Sequence, residues 1–269
     1  MMIERIELID SSIKIFKQGD FMLKKHGILL AAMLCVVPAA VGLAGQQPAP
    51  QKATPQAASR MSAYAPAERI PNLDSLKAEL KQYYACTCKC GCYAKDLDHQ
   101  ADRAIAFLRM RAAHPKTLQK LALVLDIDET TLSNYEEMIK GDFAYDKTAF
   151  DAWVESAKAP AIPGTVRLLN EARRLGVSVF FITGRAESER AATELNLHNQ
   201  GIQDWQQLIL RQPTQATTTA QTYKSAARVA IQAQGYKIVL NVGDQWSDLK
   251  GAPEAESSVK YPDPFYFLK

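Results

Sequence analysis

The sequence predicts an α/β protein in which helices flank a parallel β-sheet in a three-layer, Rossmann-like arrangement. Three short apolar runs, at 121–125, 177–182 and 238–242, have the length and composition of strands that are buried on both faces. Segments with helical spacing lie between these runs, and such alternation builds a parallel sheet. Each run ends in polar residues, at the edge of the sheet where proteins of this class bind ligands.

Two helices are predicted ahead of the first strand, as an N-terminal helical extension. Leu73, Leu76 and Leu80 recur at helical spacing, and a second amphipathic segment over 97–108 stops before Pro115. Most of the later predicted helices are followed by a glycine, which is common just after the end of a helix. These helices are predicted at 149–158, 163–174, 186–199 and 219–234, and a further short strand at 207–211.

The composition is compatible with one sizeable domain that follows a linker. The chain has 269 residues and a hydrophobic content of 47%, which is enough to build a core. Residues 45–69 are rich in Ala, Pro and Gln and predict a flexible linker, so the folded domain is placed at 70–269. The net charge of +3 is small and dispersed, and no nucleic acid polymer is expected as a partner.

The N-terminus predicts export. Lys24 and Lys25 precede an apolar run at 28–43, and the small residues at its end suit a signal peptidase. We interpret residues 1–44 as a leader, with Met22 as the true start because the acidic residues ahead of it are atypical of a signal peptide. The cleaved protein is then expected to be periplasmic or secreted, without stable membrane insertion. The alternative is an uncleaved membrane anchor, although the run is short for a span and contains a proline.

Polar residues at three strand ends and one helix start predict the functional site. In chain order they are Asp126, Asp128, Thr183, Gly184, Lys224, Asp244 and Asp248. Two carboxylates as close in sequence as Asp126 and Asp128 repel each other unless a cation lies between them. Carboxylate oxygens are the hard ligands that Mg²⁺ prefers. The pattern therefore predicts a magnesium site at the carboxyl edge of the sheet.

These motifs resemble those of the haloacid dehalogenase (HAD) superfamily of phosphohydrolases. The chain is similar to the acid phosphatase branch, which includes bacterial nonspecific acid phosphatases and plant acid phosphatases and vegetative storage proteins. The matching stretches are LVLDIDETTLSNY, FFITGRAESER, TYKSAAR and NVGDQWSDL, within a likeness that covers residues 70–269. Some plant members have lost the nucleophilic aspartate, and this chain keeps it as Asp126.

The resemblance implies a phosphatase mechanism with Asp126 as the nucleophile that forms an aspartyl-phosphate. Asp128 would protonate the leaving alkoxide and then activate the hydrolytic water. The Mg²⁺ ligands would be the side chains of Asp126 and Asp244 and the carbonyl of Asp128. Asp248 would orient a metal-bound water or another group around the metal, the alternative being an acid at a helix N-terminus.

The remaining site residues are predicted to bind the phosphate. Thr183 and the amide of Gly184 would hold phosphate oxygens. Lys224 would offset charge on the nucleophile and phosphate, the alternative being a solvated helix lysine. Arg185 is interpreted as a packing or ion-pairing residue and is left outside the site. Asn134 and its neighbour Tyr135 carry only a weak indication of contact with the leaving group.

The length of the connection between the first two motifs limits the substrate-binding region. About 55 residues separate Asp128 from Thr183, which leaves room for a few helices but not for a large cap domain. The resembled branch also lacks a large cap. An open site favours small or varied phosphomonoesters, nucleoside monophosphates among them.

Residues 86–92 form a cysteine-rich loop that departs from the family pattern. Cys86, Cys88, Cys90 and Cys92 alternate along this segment. In an oxidising compartment they could form disulfides, and thiolates could equally bind a soft metal such as Cu(I) or Zn²⁺. Both alternatives stay open, and neither belongs to the predicted phosphatase mechanism.

The sequence therefore favours an exported, Mg²⁺-dependent acid phosphatase that acts on small phosphomonoesters. Two alternatives stand beside it. One is a non-catalytic relative with a storage, scaffolding or metal-capturing role, and the other is a phosphotransferase that uses the same site with an alcohol as acceptor. The oligomeric state is left open, with a homo-oligomer among the alternatives.

Overall fold

The computed structural model describes residues 70–86, 92–114 and 119–268. The predicted leader at 1–44 and linker at 45–69 lie outside these residues, as do two cysteines of the predicted loop, Cys88 and Cys90. Within the described ranges, no helix is both long enough and apolar enough to cross a membrane.

Five strands form a sheet in the described part of the chain. They are β1 Lys120–Leu125, β2 Ser178–Ala186, β3 Gln207–Arg211, β4 Tyr236–Gly243 and β5 Ser257–Lys260. All neighbouring strands are parallel, in the order β3-β2-β1-β4-β5. The central strand β1 therefore ends between β2 and β4, which places the predicted motifs at one edge. The predicted parallel α/β architecture is confirmed.

Helices cover both faces of this sheet. They are α1 Leu73–Ala85, α2 Tyr93–Ala113, α3 Tyr135–Lys140, α4 Lys147–Glu155, α5 Pro163–Arg174, α6 Arg190–Asn199, α7 Ala220–Ala233 and α8 Trp246–Leu249. Side chains alternate along β1, so Leu123 and Leu125 join the core formed with α2 and α5. Ala122 and Val124 point to the other face, where they join the core formed with α7. The helix α2 is thus part of the main core and not only an extension.

The connection between β1 and β2 is short. Residues 126–177 contain only the helices α3, α4 and α5, so no large cap domain is inserted there, as predicted. Asp146 caps α4 by accepting a hydrogen bond from the Ala149 amide at 2.9 Å, which starts this helix two residues earlier than predicted.

Several element boundaries differ from the sequence-based predictions. The helix predicted to start at residue 186 starts at Arg190, because β2 continues to Ala186 and pairs there with Arg211 of β3. The Ala186 amide then donates to Glu189 Oε2 at 2.6 Å and closes a short 3₁₀ turn before α6. The elements α3, α8 and β5 are not predicted from the sequence, since each has only four to six residues.

Candidate active site

Three carboxylates meet at the carboxyl ends of β1 and β4. Asp126 follows β1, Asp244 follows β4, and Asp248 lies in α8. One carboxylate oxygen from each residue lies within 4.8 Å of the other two, and all three residues are buried. Such hard oxygen donors fit a divalent cation such as Mg²⁺. The structure thus brings together two predicted ligands, Asp126 and Asp244, and adds Asp248 to their cluster.

Lys224 of α7 joins two of these carboxylates. Its Nζ donates to Asp126 Oδ1 and to Asp248 Oδ1, both at 2.6 Å, and the side chain is buried. Burial by itself would lower the pKa of Lys224, but the charges of the two carboxylates outweigh burial and raise this pKa above its usual range. Lys224 is therefore a buried cation and not a solvated helix residue, while its predicted contact with phosphate stays a prediction.

A single lysine does not balance the charge of the carboxylate cluster. Burial, together with the neighbouring carboxylates, raises the pKa of Asp126 against the opposing charge of Lys224. Burial and the charges of Asp248 and Asp263 likewise raise the pKa of Asp244. A bound cation would stabilise these buried groups as anions. The excess of negative charge is the property expected of a metal site.

Asp128 lies beside the cluster and is more accessible than its neighbour in the motif. Its side chain is 17% exposed, whereas that of Asp126 is 8% exposed. Arg185 Nη2 and Asn134 Nδ2 donate to Asp128 Oδ1 at 2.7 Å and 2.9 Å. Burial opposes ionisation, but the charge of Arg185 and these hydrogen bonds lower the pKa of Asp128 below its usual value. An oriented and partly exposed carboxylate is suited to exchange a proton with a ligand.

Arg185, which lies outside the site predicted from the sequence, contacts a predicted site residue. Interpreted from the sequence as a packing or pairing residue, it does form an ion pair, and its partner is the predicted acid–base residue Asp128. A further hydrogen bond from Nη1 to Thr193 Oγ1, at 3.2 Å, fixes the buried guanidinium from the side of α6. The position of Arg185, directly after Thr183 and Gly184 at a strand end, was the available signal.

Asn134 is held in place by two further residues. Its backbone N–H donates to Glu129 Oε1 at 2.6 Å, and its side-chain Oδ1 accepts a hydrogen bond from Trp153 Nε1 at 2.9 Å. Trp153 lies in α4, so this helix supports the orientation of Asp128 through Asn134. Glu129 has φ of 52°, a left-handed conformation that turns the chain directly after Asp128. Strain of this kind is typical of functional sites.

Thr183 and Gly184 lie at the end of β2, beside the end of β1. Thr183 is buried, and its Oγ1 accepts a hydrogen bond from the Arg185 amide at 3.2 Å. Gly184 is exposed, and a Cβ added to it would have no atom within 4 Å apart from those of Gly184 and its two chain neighbours. There is thus open space beside the Gly184 backbone. Their predicted contacts with phosphate oxygens stay predictions.

Two cysteines of the predicted loop lie in the described residues. Cys92 precedes α2 and is buried, and a side-chain hydrogen bond with Cys86 raises the pKa of the Cys92 thiol. These two side chains are therefore in contact with each other. The choice between disulfides and a soft metal for all four cysteines stays open, because Cys88 and Cys90 lie outside the described residues.

The fold and the acidic edge together define a phosphohydrolase-like α/β protein. The sequence profile of the HAD superfamily, subfamily IIIB (acid phosphatase), matches residues 48–269. The chain belongs to this family, and the resemblance inferred from the motifs is confirmed. A structural neighbour agrees with the fold: the class C acid phosphatase from Bacillus anthracis aligns with a TM-score of 0.59 at 24% identity, over 71% of this chain and 85% of that one.

Similar sequences come from plants. The chain is 44% identical over 148 residues to Acid phosphatase 1 of Solanum lycopersicum, over 54% of this chain and 58% of the relative. It is 37% identical over 182 residues to the Stem 28 kDa glycoprotein of Glycine max, over 66% of this chain and 70% of the relative. Vegetative storage protein 1 of Arabidopsis thaliana is 33% identical over 54% of each chain. The match thus spans little more than half the length of the first of these relatives.

Proposed function

We propose that this protein is an exported, Mg²⁺-dependent acid phosphatase that hydrolyses small phosphomonoesters through an aspartyl-phosphate on Asp126. The observation that carries the proposal is the buried cluster of Asp126, Asp244 and Asp248 with Lys224, at one strand edge with an oriented Asp128. The family assignment and the plant acid phosphatase relative support the same activity. The connection after Asp128 contains only three helices and no large cap domain, which favours varied small esters, including nucleoside monophosphates.

The first chemical step uses the carboxylate of Asp126. One of its oxygens attacks phosphorus, an O–P bond forms, and the bond from phosphorus to the ester oxygen breaks. Asp128 in its protonated form, which its lowered pKa confines to acidic pH, gives its proton to the departing alkoxide, so the alcohol leaves neutral. Lys224 fixes the orientation of the Asp126 carboxylate through the 2.6 Å hydrogen bond. Thr183 and the Gly184 amide would hold phosphate oxygens as charge moves onto them.

The second step releases phosphate. Asp128, now a carboxylate, accepts a proton from water as the water oxygen attacks phosphorus, and the acyl–phosphate bond breaks to regenerate Asp126. Arg185 and Asn134 keep Asp128 in place for both steps. The side chains of Asp126 and Asp244 and the carbonyl of Asp128 would hold Mg²⁺, with Asp248 beside them. The ion would screen the anionic nucleophile from the phosphate oxygens.

A panel of phosphomonoesters assayed with and without Mg²⁺ tests this function. We expect phosphate release from several small esters, its loss after treatment with a chelator, and its return when Mg²⁺ is added back. Product analysis with an added alcohol would separate hydrolysis from phosphotransfer. If a folded protein turned over none of the esters, the storage or metal-capture alternative would gain support.

Replacing Arg185 with Met should impair the acid–base step. Because Arg185 orients Asp128, we expect kcat/KM on an alkyl phosphate, which reports the step in which the alcohol leaves, to fall by roughly 10- to 100-fold, a part of what acid–base catalysis contributes. An aryl phosphate has a better leaving group and needs less protonation, so its kcat/KM should fall less. Steady-state kinetics on both esters measures this difference. Arg173→Met, at an exposed arginine, is the matched control, and an equal loss on both esters would contradict the assigned role.

Export is tested by the N-terminus of the mature protein. We expect cleavage after Ala44, because basic residues, an apolar run and small residues succeed one another before it. N-terminal sequencing of the protein purified from its native host, together with cell fractionation, measures this. A mature chain that keeps the apolar run at 28–43 and stays with the membrane would support the anchor instead.

A further inference from the structure

The C-terminal segment, residues 261–268, returns from β5 to the predicted metal site. The Tyr261 amide donates to the Gly243 carbonyl at 2.9 Å, which extends the pairing with β4 to the residue just before Asp244. Tyr261 and Phe265 are buried in the main core and anchor the segment. The segment is therefore packed beside the carboxylate cluster, although none of its residues is a predicted ligand.

The C-terminal segment sets the orientation of the Gln245 side chain. Gln245 Nε2 donates to Asp263 Oδ2 at 2.6 Å, and Gln245 Oε1 accepts a hydrogen bond from the Leu268 amide at 3.1 Å. An acceptor on one side and a donor on the other fix which end of the amide is nitrogen. Asp263 is itself held, since its Oδ1 accepts from the Phe265 amide at 2.9 Å.

The oriented Gln245 side chain in turn contacts the carboxylate of Asp244. Its Nε2 also donates to Asp244 Oδ2 at 2.8 Å, and the Tyr266 hydroxyl reaches the same oxygen at 3.4 Å. The other oxygen, Oδ1, accepts from Thr130 Oγ1 at 2.9 Å. Two hydrogen bonds to Oδ2 from one side and one to Oδ1 from the other hold the plane of this buried carboxylate.

We propose that Gln245 and Asp263 are positioning residues that orient Asp244 and thereby set the affinity of the site for its divalent cation. The inference rests on the proposed function, because it assumes that Asp244 is a metal ligand. Hydrogen-bond partners that orient a ligating carboxylate change metal affinity by about 10- to 100-fold when they are removed. Gln245 is the direct partner of Asp244, whereas Asp263 holds Gln245 and its charge also acts on Asp244.

The test compares metal binding in three variants of the full chain. Gln245→Met keeps the side-chain length and removes both hydrogen-bonding ends, and Asp263→Ala removes the acceptor in the C-terminal segment. Phe267→Ala, at a side chain that is 69% exposed in the same segment, is the matched control. Mn²⁺, the probe ion, is titrated into metal-free protein, and free Mn²⁺ is counted by electron paramagnetic resonance. Circular dichroism checks that each variant is folded.

We expect the Kd for Mn²⁺ to rise by about 10- to 100-fold in Gln245→Met and somewhat less in Asp263→Ala, with no change in Phe267→Ala. The Mg²⁺ concentration that gives half-maximal phosphatase activity should rise in the same order, while activity at saturating Mg²⁺ largely recovers. Should Gln245→Met fail to fold, Asp263→Ala is compared with Asp263→Asn, which loses the same charge but keeps an acceptor for Gln245 Nε2, and equal Kd values in the two variants would overturn the inference. Wild-type Kd values in the folded variants would overturn the inference and leave the proposed function intact. If the wild-type protein binds no Mn²⁺, the proposed metal site fails and the inference falls with it.

Discussion

Asp126→Asn is expected to lower kcat on phosphomonoesters by about four orders of magnitude or more, because an amide cannot form the aspartyl-phosphate. The fold should survive, since asparagine has nearly the same shape and removes one negative charge from a buried cluster that has too many. Lys224 keeps its second partner, Asp248, at 2.6 Å. Steady-state kinetics at saturating Mg²⁺ measures the loss, and thermal unfolding checks the structure.

The matched control for this change is Asp102→Asn, at an aspartate whose side chain is 66% exposed on α2. It should have wild-type kinetics. A rapid-quench experiment with a ³²P-labelled ester adds a direct readout, because wild-type protein should carry acid-stable label and the Asp126→Asn protein should not. Residual kcat within tenfold of wild type, or label on the variant, would place the nucleophile elsewhere.

The sheet was predictable because its central strands are buried on both faces. The strands β1, β2 and β4 contain continuous apolar runs in the sequence, which are typical of strands in a parallel sheet covered on both faces. The edge strand β5 has no such run, since Ser257–Lys260 is short and only Val259 is buried in it. Its place in the sheet depends on pairing with β4 and not on its own composition.

The carboxylates of the site were predictable for a similar reason. Asp126 and Asp244 directly follow apolar strands, with Asp128 two residues beyond Asp126, and the carboxyl ends of neighbouring parallel strands must lie at one edge. The residues that orient them were not predictable in this way. Arg185 contacts Asp128 across 57 positions of sequence, and the contact depends on the side-chain conformations of both residues.

The same limit applies to the other supporting contacts. Trp153 meets Asn134 because α4 folds back over the turn after β1, and Asp263 meets Gln245 because the chain returns after β5. Neither pair has a sequence spacing that suggests contact. A motif at a strand end thus identifies the residues predicted to react. The residues that orient them can be identified only from the folded structure.

Lys224→Met is expected to lower the free energy of unfolding by about 3–5 kcal/mol in metal-free buffer, because it leaves two buried carboxylates without their cation. Asp126 and Asp248 both bind the Lys224 ammonium at 2.6 Å, and both side chains are less than a tenth exposed. The added apolar contact of methionine is small beside this loss. Urea unfolding in the presence of a chelator measures it, and Lys158→Met, at an exposed lysine, should stay within about 0.5 kcal/mol of wild type.

Mg²⁺ distinguishes this electrostatic cause from a simple packing defect. Lysine and the metal neutralise the same carboxylates, so the metal should stabilise Lys224→Met by more than it stabilises wild type. A packing defect would give equal stabilisation in both proteins. The turnover of the variant should stay low even at saturating Mg²⁺, because the lysine also orients the Asp126 carboxylate. If Lys224→Met unfolds at the wild-type urea concentration without metal, the ammonium does not bridge Asp126 and Asp248 in solution and does not stabilise the carboxylate cluster.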